Sequence, residues 1–472
     1  MGRPSHPPAG FVDRVSELAA LERWWASRHA PMALVWGRRR VGKTWILDAF
    51  ARGRRSVVHV AAARAREDEL AVLSREVAAA APSASRDLAG RPFADWDDAL
   101  DFLAGQALRE PLLLVLDELP DLLTHAPELP SVLRAFWDRM EPRTHLRLVL
   151  CGSAMRTMQA LEEERAPLFG RFGLSLQVHP FAPHEAALML PGLAPAERAV
   201  VWGLLGGVPL YLSWWDGDSD LSANLSRLVC TPGGRLLVEG ELLLATEAGG
   251  PLSGPVLRAV ATGHTKHNEI ADAVRADPSR TLGRLVGLRL LERLVPVTDD
   301  PRRARRRVYR VTDNFLRFWL GLVDRYRSEI ERGLGPTILP ALVEGIDDLM
   351  GATWEEAFRL HLRRLAGTGA LGDRVVAVGA WWREGGQDEL DAVVLAGRSR
   401  SAVLVGEARW ARRLDARRVE AGLLAKAAAL PSVDPSLRLA VCAREEVHDP
   451  GPGTLVVRAE SIFGEADPVL GR

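Results

Sequence analysis

The stretch that most constrains this chain is Gly37-Arg38-Arg39-Arg40-Val41-Gly42-Lys43-Thr44. Two glycines separated by four residues and followed by Lys-Thr fit the phosphate-binding loop pattern. Glycines let the backbone turn its N–H groups inward as an anion nest, closed from below by a helix N-terminus. Lys43 then reaches β- and γ-phosphates, and the Thr44 hydroxyl is a ligand for Mg2+. The flanks suit this reading: residues 32–36 form an apolar run before the loop, and residues 45–50 follow with helical spacing. Trp36 and Trp45 flank the loop directly.

Composition sharpens the point. Lys43, Lys266 and Lys426 are the three lysines among 61 Lys plus Arg. A chain so biased to arginine keeps an ammonium where the loop needs a compact point charge and not a planar fork. Formal net charge is zero, so any nucleic-acid affinity would come from a local patch. The 472 residues suggest about three domains. Cys151, Cys230 and Cys442 lie far apart, with neither metal-ligand spacing nor a disulfide framework. The first ten residues lack the apolar core of a signal peptide, and no run approaches a membrane span. A cytoplasmic protein without membrane association is expected.

Further along, residues 56–60 read as a second strand and 95–108 as a helix with Trp96, Leu100, Leu103 and Ala107 on one stripe. The apolar run 112–116 ends in Asp117-Glu118. A buried strand that delivers two acids to its carboxyl end suits a nucleotide site, Asp117 holding Mg2+ and Glu118 orienting the attacking water. A third apolar strand, 146–151, ends at Gly152-Ser153, where the Ser153 hydroxyl would sense a γ-phosphate. Arg171 is a cation that would reach that phosphate within the chain or from a neighbour, or is a solvated surface arginine. Gly206-Gly207-Val208-Pro209 is a hinge within helical sequence. It suits a lid that brings Pro209 to the nucleotide, or is a simple helix break.

Taken together, residues 11–18, the loop, the Asp-Glu strand, Cys151-Gly152-Ser153, Gly170-Arg171 and residues 207–212 resemble the archaeal-type ATPase family. That family is a branch of the AAA-like and STAND P-loop ATPases. The resemblance covers roughly the first half of the chain. It implies ATP and Mg2+ as ligands, and a parallel sheet with an extra strand between the loop strand and the Asp-Glu strand, followed by a helical lid.

The pattern changes behind the lid. Residues 256–261, 268–274 and 280–291 read as three short helices, and 295–298 and 308–311 as strands flanking an arginine-rich turn. This is a winged helix-turn-helix pattern. Residues 255–313 carry 13 Lys/Arg against 7 Asp/Glu. Arg280, Arg284 and the wing arginines 302–307 would contact DNA, or the module packs internally and the wing is a solvated turn. Residues 313–319 resemble the junction at which, in the same family, a winged helix leads into domain of unknown function 234. That domain is assigned to the restriction-endonuclease-like, PD-(D/E)XK, superfamily.

In this rear region residues 354–365 read as a helix, and 375–382, 389–395 and 403–410 as strands. A hairpin symmetric about Ser399 makes Asp391 and Glu407 cross-strand neighbours on one face, close enough to share a divalent metal. This resembles the superfamily's Asp…Glu-x-Lys core, with Glu356 as the helix carboxylate. Arg409 stands where the pattern has Lys, and a guanidinium cannot act as a base. Lys426, on the amphipathic helix 416–430, would supply the ammonium from another direction.

The expected architecture is multidomain α/β. It comprises a P-loop ATPase core (1–182), a helical lid (183–245), a winged helix-turn-helix (246–313), connecting helices (314–345) and a restriction-endonuclease-like α/β domain (346–472). The expected activity is Mg2+-dependent ATP hydrolysis that switches a DNA-associated, nuclease-like module. The alternative is a STAND-type signalling ATPase whose rear domains bind protein partners. Self-association into a homo-oligomer fits either.

Overall fold

The computed structural model describes residues 13–27, 30–80, 86–140, 143–383 and 388–464. Phe11 and Val12 of the first family motif therefore lie outside the described residues. The chain divides into two compact units, Met1–Pro180 and Phe181–Arg472.

The first unit is built on five parallel strands, β1 (Met32–Trp36), β2 (Ser56–Val60), β3 (Leu112–Asp117), β4 (Leu146–Gly152) and β5 (Phe172–Gln177), in the order β2-β3-β4-β1-β5. β4 thus lies between the loop strand β1 and the Asp-Glu strand β3, as the resemblance implied. Alternation along β1 explains its total burial. Met32, Leu34 and Trp36 enter one apolar layer with Trp96, Leu100 and Leu103, while Ala33 and Val35 enter the other with Ile46, Phe50 and Cys151. Cys151 is a small core residue. A helix at Arg66–Ala80 was not anticipated. It opens with three acids, and its weakly amphipathic, alanine-rich end carries little periodic signal.

The second unit has one large core that runs from Phe181 to Phe463, and a smaller one on the other face of its rear sheet. The helices behind residue 182 share the larger core with the rest of the unit. Pro195–Leu205 packs on the far end of the chain, with the Trp202 ring 6.0 Å from Phe463 and an Arg198 guanidinium N–H donating to the Phe463 carbonyl at 3.0 Å. Trp319 Nε1 donates to the Leu237 carbonyl at 3.0 Å. Helices Ser253–Ala261, His267–Val274 and Ser279–Gly287 are followed by the antiparallel pair β6 (Leu291–Leu294) and β7 (Val308–Val311). Here the expected third helix ran too long and the first strand lay four residues late. Arg289 takes a left-handed conformation (φ 55°), which ends the helix and returns Leu290 and Leu291 to the core.

A helix of 33 residues, Gly335–Gly367, then leads into a mixed sheet. Its members are β8 (Val375–Trp382), β9 (Glu389–Ala396), β10 (Ser401–Arg409), β12 (Val433–Ala443) and β14 (Leu455–Arg458), in the order β14-β12-β10-β9-β8. Short β11 (Arg413–Asp415) and β13 (Glu446–His448) pair separately. The long helix covers one face through Phe358 and Leu362, and helix Ala416–Ala427 the other through Leu423 and Ala427. The β6–β7 connection lies along edge strand β8, where Val297 N–H donates to the Ala380 carbonyl at 2.9 Å. That contact covers an otherwise open sheet edge.

Candidate functional site

The phosphate-binding loop leaves β1 at its carboxyl end and enters helix Lys43–Ala51. A Cβ on Gly37 would lie 2.3 Å from the Val178 carbonyl oxygen, so no larger residue fits beside β5 there. Gly42 takes φ 92°. The buried Lys43 ammonium donates to the Gly37 and Arg38 carbonyls at 3.0 and 2.9 Å and so lies across the loop. Of the other loop residues, Arg39 is exposed, Arg38 and Arg40 are half-buried, and Val41 is in the core.

Thr44 Oγ1 donates to Asp117 Oδ2 at 2.8 Å. A hydroxyl and a buried carboxylate side by side are the hard oxygen donors that suit Mg2+, and these two residues fit that ion. Bound there, Mg2+ would neutralise charge on the β- and γ-phosphates.

Glu118 follows in a left-handed conformation (φ 51°, ψ 44°), uncommon for a non-glycine residue and enriched at functional sites. Its carboxylate accepts from the Ser153 hydroxyl at 2.9 Å. Gly152 permits that approach: a Cβ there would be 2.6 Å from Pro120 Cδ and from Met158 Sδ. Ser153 therefore holds the Glu118 carboxylate, a contact not read from the sequence, where its hydroxyl is expected to sense a γ-phosphate.

One further placement differs from expectation. Arg171 precedes β5, and Phe172 pairs with Met32 while Gln177 pairs with Trp36. Arg171 thus stands at the amino edge of the sheet, a strand's length (roughly 16 Å) from the loop edge, and pairs with Asp138 at 2.6 Å. It cannot reach a γ-phosphate bound in its own chain. Pro209 opens helix Pro209–Leu212 in the second unit, directly after Gly206 ends the preceding helix.

Sequence reasoning missed Arg14. This residue, 3 % exposed, donates to the Val41 carbonyl of the loop at 2.7 Å and to Glu17 at 2.8 Å. Burial pushes the Glu17 carboxyl up, but the Ser16 hydroxyl and Arg14 outweigh it and hold it below the usual range. The signal was present in the Asp-Arg-x-x-Glu spacing (residues 13–17), which a helix start does not explain.

In the second unit the β9–β10 hairpin places the expected carboxylates together. Its register runs Ser401 with Ala396 and Ala402 with Leu395, then slips by one residue to pair Leu404 with Val394 and Gly406 with Ala392. That bulge sets Glu407 opposite Asp391, and Asp391 Oδ2 accepts from Ala408 N–H at 2.8 Å. Lys426 Nζ reaches Glu407 Oε2 at 3.1 Å with its side chain only 28 % exposed, and Arg409 pairs with the other oxygen.

Burial, Glu355 and Glu407 push Asp391 up to about 7. The helix carboxylate facing Asp391 electrostatically is therefore Glu355. Glu356, expected in that role, is taken by arginines: burial would raise it, but Arg310, Arg359 and Arg363 pull it down to about 2. Among the described residues no group of three or more His, Cys, Asp or Glu forms a metal cage. Asp391 and Glu407 are thus paired neighbours, with Lys426 supplying the cation.

Of the arginines expected on DNA, Arg280 is exposed, but Arg284 turns inward to the Ser253 hydroxyl. Arg306 pairs with Asp299 and the Trp382 carbonyl. Arg302, Arg303, Arg305 and Arg307 are exposed. Among the described residues no helix is long and apolar enough to cross a membrane.

A parallel sheet, a glycine loop closing on a helix, and a Thr–Asp pair beside a held glutamate define a P-loop ATPase. Residues 11–214 match the family described as the ATPase domain predominantly from Archaea. Residues 319–421 match a second family, archaeal and bacterial proteins of unknown function, which includes Glu355, Asp391 and Glu407 and stops short of Lys426. An uncharacterised protein of Methanocaldococcus jannaschii is 24% identical over 410 residues, covering 85% of this chain and 87% of its own. An uncharacterised ATP-binding protein of the same organism is 48% identical over 40 residues, 8% of this chain and 68% of that one. Among solved structures, the Walker-type ATPase PABY2304 of Pyrococcus abyssi shares the fold with a TM-score of 0.52 and 20% identity, over 67% of this chain and 98% of that chain.

Proposed function

We propose that ATP hydrolysis in the first unit is Mg2+-dependent and switches a DNA-associated, nuclease-like module in the second. The observation that carries the catalytic half is the convergence of Lys43, the Thr44–Asp117 pair and the Ser153–Glu118 pair at the carboxyl ends of β1, β3 and β4. Lys43 swings from the loop carbonyls to the β- and γ-phosphates. Glu118, held by Ser153, orients water for in-line attack on the γ-phosphorus, and Lys43 stabilises the charge that develops on the equatorial oxygens. Thr44 and Asp117 would hold the metal. Arg171, at the far edge of the sheet, would serve a neighbouring copy and not its own site. Lys43→Ala is expected to weaken ATP binding severely, whereas Glu118→Gln binds ATP and loses hydrolysis. Wild-type turnover by Glu118→Gln would remove Glu118 from the mechanism.

The rear half of the proposal is supported by the three-helix and hairpin arrangement, a winged-helix form, and by the Asp391–Glu407–Lys426 grouping in a three-layer α/β/α unit, as in nuclease-like folds. A gel-shift titration of DNA with the full chain at low salt tests association. Plasmid incubated with Mg2+ or Mn2+ tests cleavage, which must disappear in Asp391→Ala and Glu407→Ala. The rival reading, a signalling ATPase that binds protein partners, is favoured by the internal engagement of Arg284, Arg306 and Arg310. Failure of any DNA to shift would select it.

A further inference from the structure

The geometry points to single-stranded nucleic acid as the ligand of a cleft inside the second unit, its phosphates on arginines and its bases on Trp382 and Tyr309. This inference rests on the nucleic-acid reading above and moves the contact surface away from the exposed third helix.

The cleft has a volume of about 1270 Å3, beyond the roughly 300–1,000 Å3 of small-molecule pockets. Its walls are the turn after helix Ser253–Ala261, the arginine-rich approach to β7, residues 317–325, one side of the long helix, and the adjoining ends of β8 and β9. Nine Lys and Arg line it against three carboxylates, in a chain whose charges balance overall. Guanidinium forks match phosphate oxygens in pairs.

Several of these cations await a partner. Arg305, Arg307 and Arg325 are exposed and form no ion pair among the described residues. Arg317 is only 8 % exposed. It bonds to Asn314 and Thr353, and among the described residues its Nε has no hydrogen-bond partner and no carboxylate forms an ion pair with it. Burial and neighbouring Arg310 hold its pKa down to about 10. Glu356, Glu355 and Asp313 offset this burial only in part, and an anionic ligand in the cleft adds to the compensation.

Phosphate alone would not distinguish a strand from a small phosphorylated compound. The aromatic residues do. Tyr309 and Trp382 both line the cleft and are half-buried. A basic groove interleaved with aromatic platforms is the pattern that binds unpaired strands, because every base offers a stacking face. At its inner end the cleft includes Glu355, whose charge raises Asp391. A strand seated on the arginines would therefore run up to the carboxylate pair.

The test is fluorescence anisotropy of the full chain with labelled oligothymidylate, its RNA counterpart and a duplex of equal length, across a salt series. Wild type should bind one or both single strands at least about tenfold more tightly than the duplex. Combined Arg305→Glu, Arg307→Glu and Arg325→Glu should weaken binding by more than about 30-fold and flatten the salt slope. Trp382→Ala should weaken it about tenfold. Arg280→Glu with Arg302→Glu, outside the cleft, should stay within about threefold of wild type. Unchanged ATPase rates and circular dichroism establish that each variant is folded. If the Arg280/Arg302 pair abolishes binding and the cleft variants do not, the DNA reading stands and the cleft inference falls. Duplex bound as tightly as single strand also overturns the cleft inference. Wild type that binds none of the three overturns both.

Discussion

Trp45 is 52% exposed at the first turn of the loop helix, whereas Trp36 is 7% exposed and its indole N–H donates to Ser175. Both flank the loop in sequence. The structure separates them, because only Trp45 meets solvent where phosphates bind. ATP-dependent change in tryptophan emission should vanish in Trp45→Phe and persist in Trp36→Phe; persistence in both would place the reporter elsewhere. Asp391 makes a second prediction at this scale. Folded Asp391 keeps its proton up to about pH 7, while an unfolded aspartate releases it near ~3.9. Its stabilising share is thus fully present below the lower value and is lost as pH rises through the upper one. Asp391→Asn keeps an acceptor for Ala408 N–H and removes the buried charge. It should melt above wild type at about pH 8, with the gap shrinking toward about pH 5. A variant that melts below wild type at the higher pH would mean that Asp391 is not repelled in its site.

Among the elements, the Gly206-Gly207 break illustrates how one local feature serves the wider core. Gly206 (φ 70°) ends helix Pro195–Leu205, and Gly207 (φ 68°) follows it in the same left-handed region. The Phe181 N–H donates to the Gly207 carbonyl at 2.7 Å, and a Cβ on Gly207 would stand 2.1 Å from the Phe181 carbonyl oxygen. That clash is with backbone and cannot be relieved by a rotamer change. Gly207→Ala should therefore cost the second unit more than about 3 kcal/mol, combining positive-φ strain with a forced main-chain shift. Denaturant melts followed by circular dichroism would show it; a loss below about 1 kcal/mol would contradict the rigid packing described.

For the whole molecule, the division after Pro180 separates two units of different construction. The first is a parallel sheet with helices on both faces. The second is threaded by contacts of long sequence separation, Arg198 with Phe463 and Leu237 with Trp319 among them. A fragment of residues 181–472 should fold with one cooperative thermal transition. Fragments that begin at 246, 314 or 346 lose helix Pro195–Leu205 and expose the apolar surface around Phe358 and Phe463. They should aggregate or lack a cooperative melt. A stable, monomeric 346–472 would show instead that the smaller core of the rear sheet suffices for folding.

Local chemistry wrote the first unit into the sequence. A glycine loop, apolar runs that end in acids, and a β-period of two act over few residues, so Lys43, Thr44, Asp117 and Glu118 were legible before any coordinates, as were β1 to β4. The symmetric hairpin likewise anticipated Asp391 opposite Glu407. Tertiary structure decided the rest, through choices that no short window contains. A one-residue bulge between Ala402 and Leu404 sets the face on which Asp391 and Glu407 meet. Without that slip, the turn-end register would carry the two side chains to opposite faces. Helix phase gives Glu355 to Asp391 and Glu356 to three arginines, although the two are adjacent in sequence and chemically alike. Parallel pairing of β5 with β1 sends Arg171 to the far edge of the sheet. Packing across long stretches of sequence joins regions behind residue 182 into the larger core, where helix Pro195–Leu205 has an apolar face that Met350 and Phe463 help to cover.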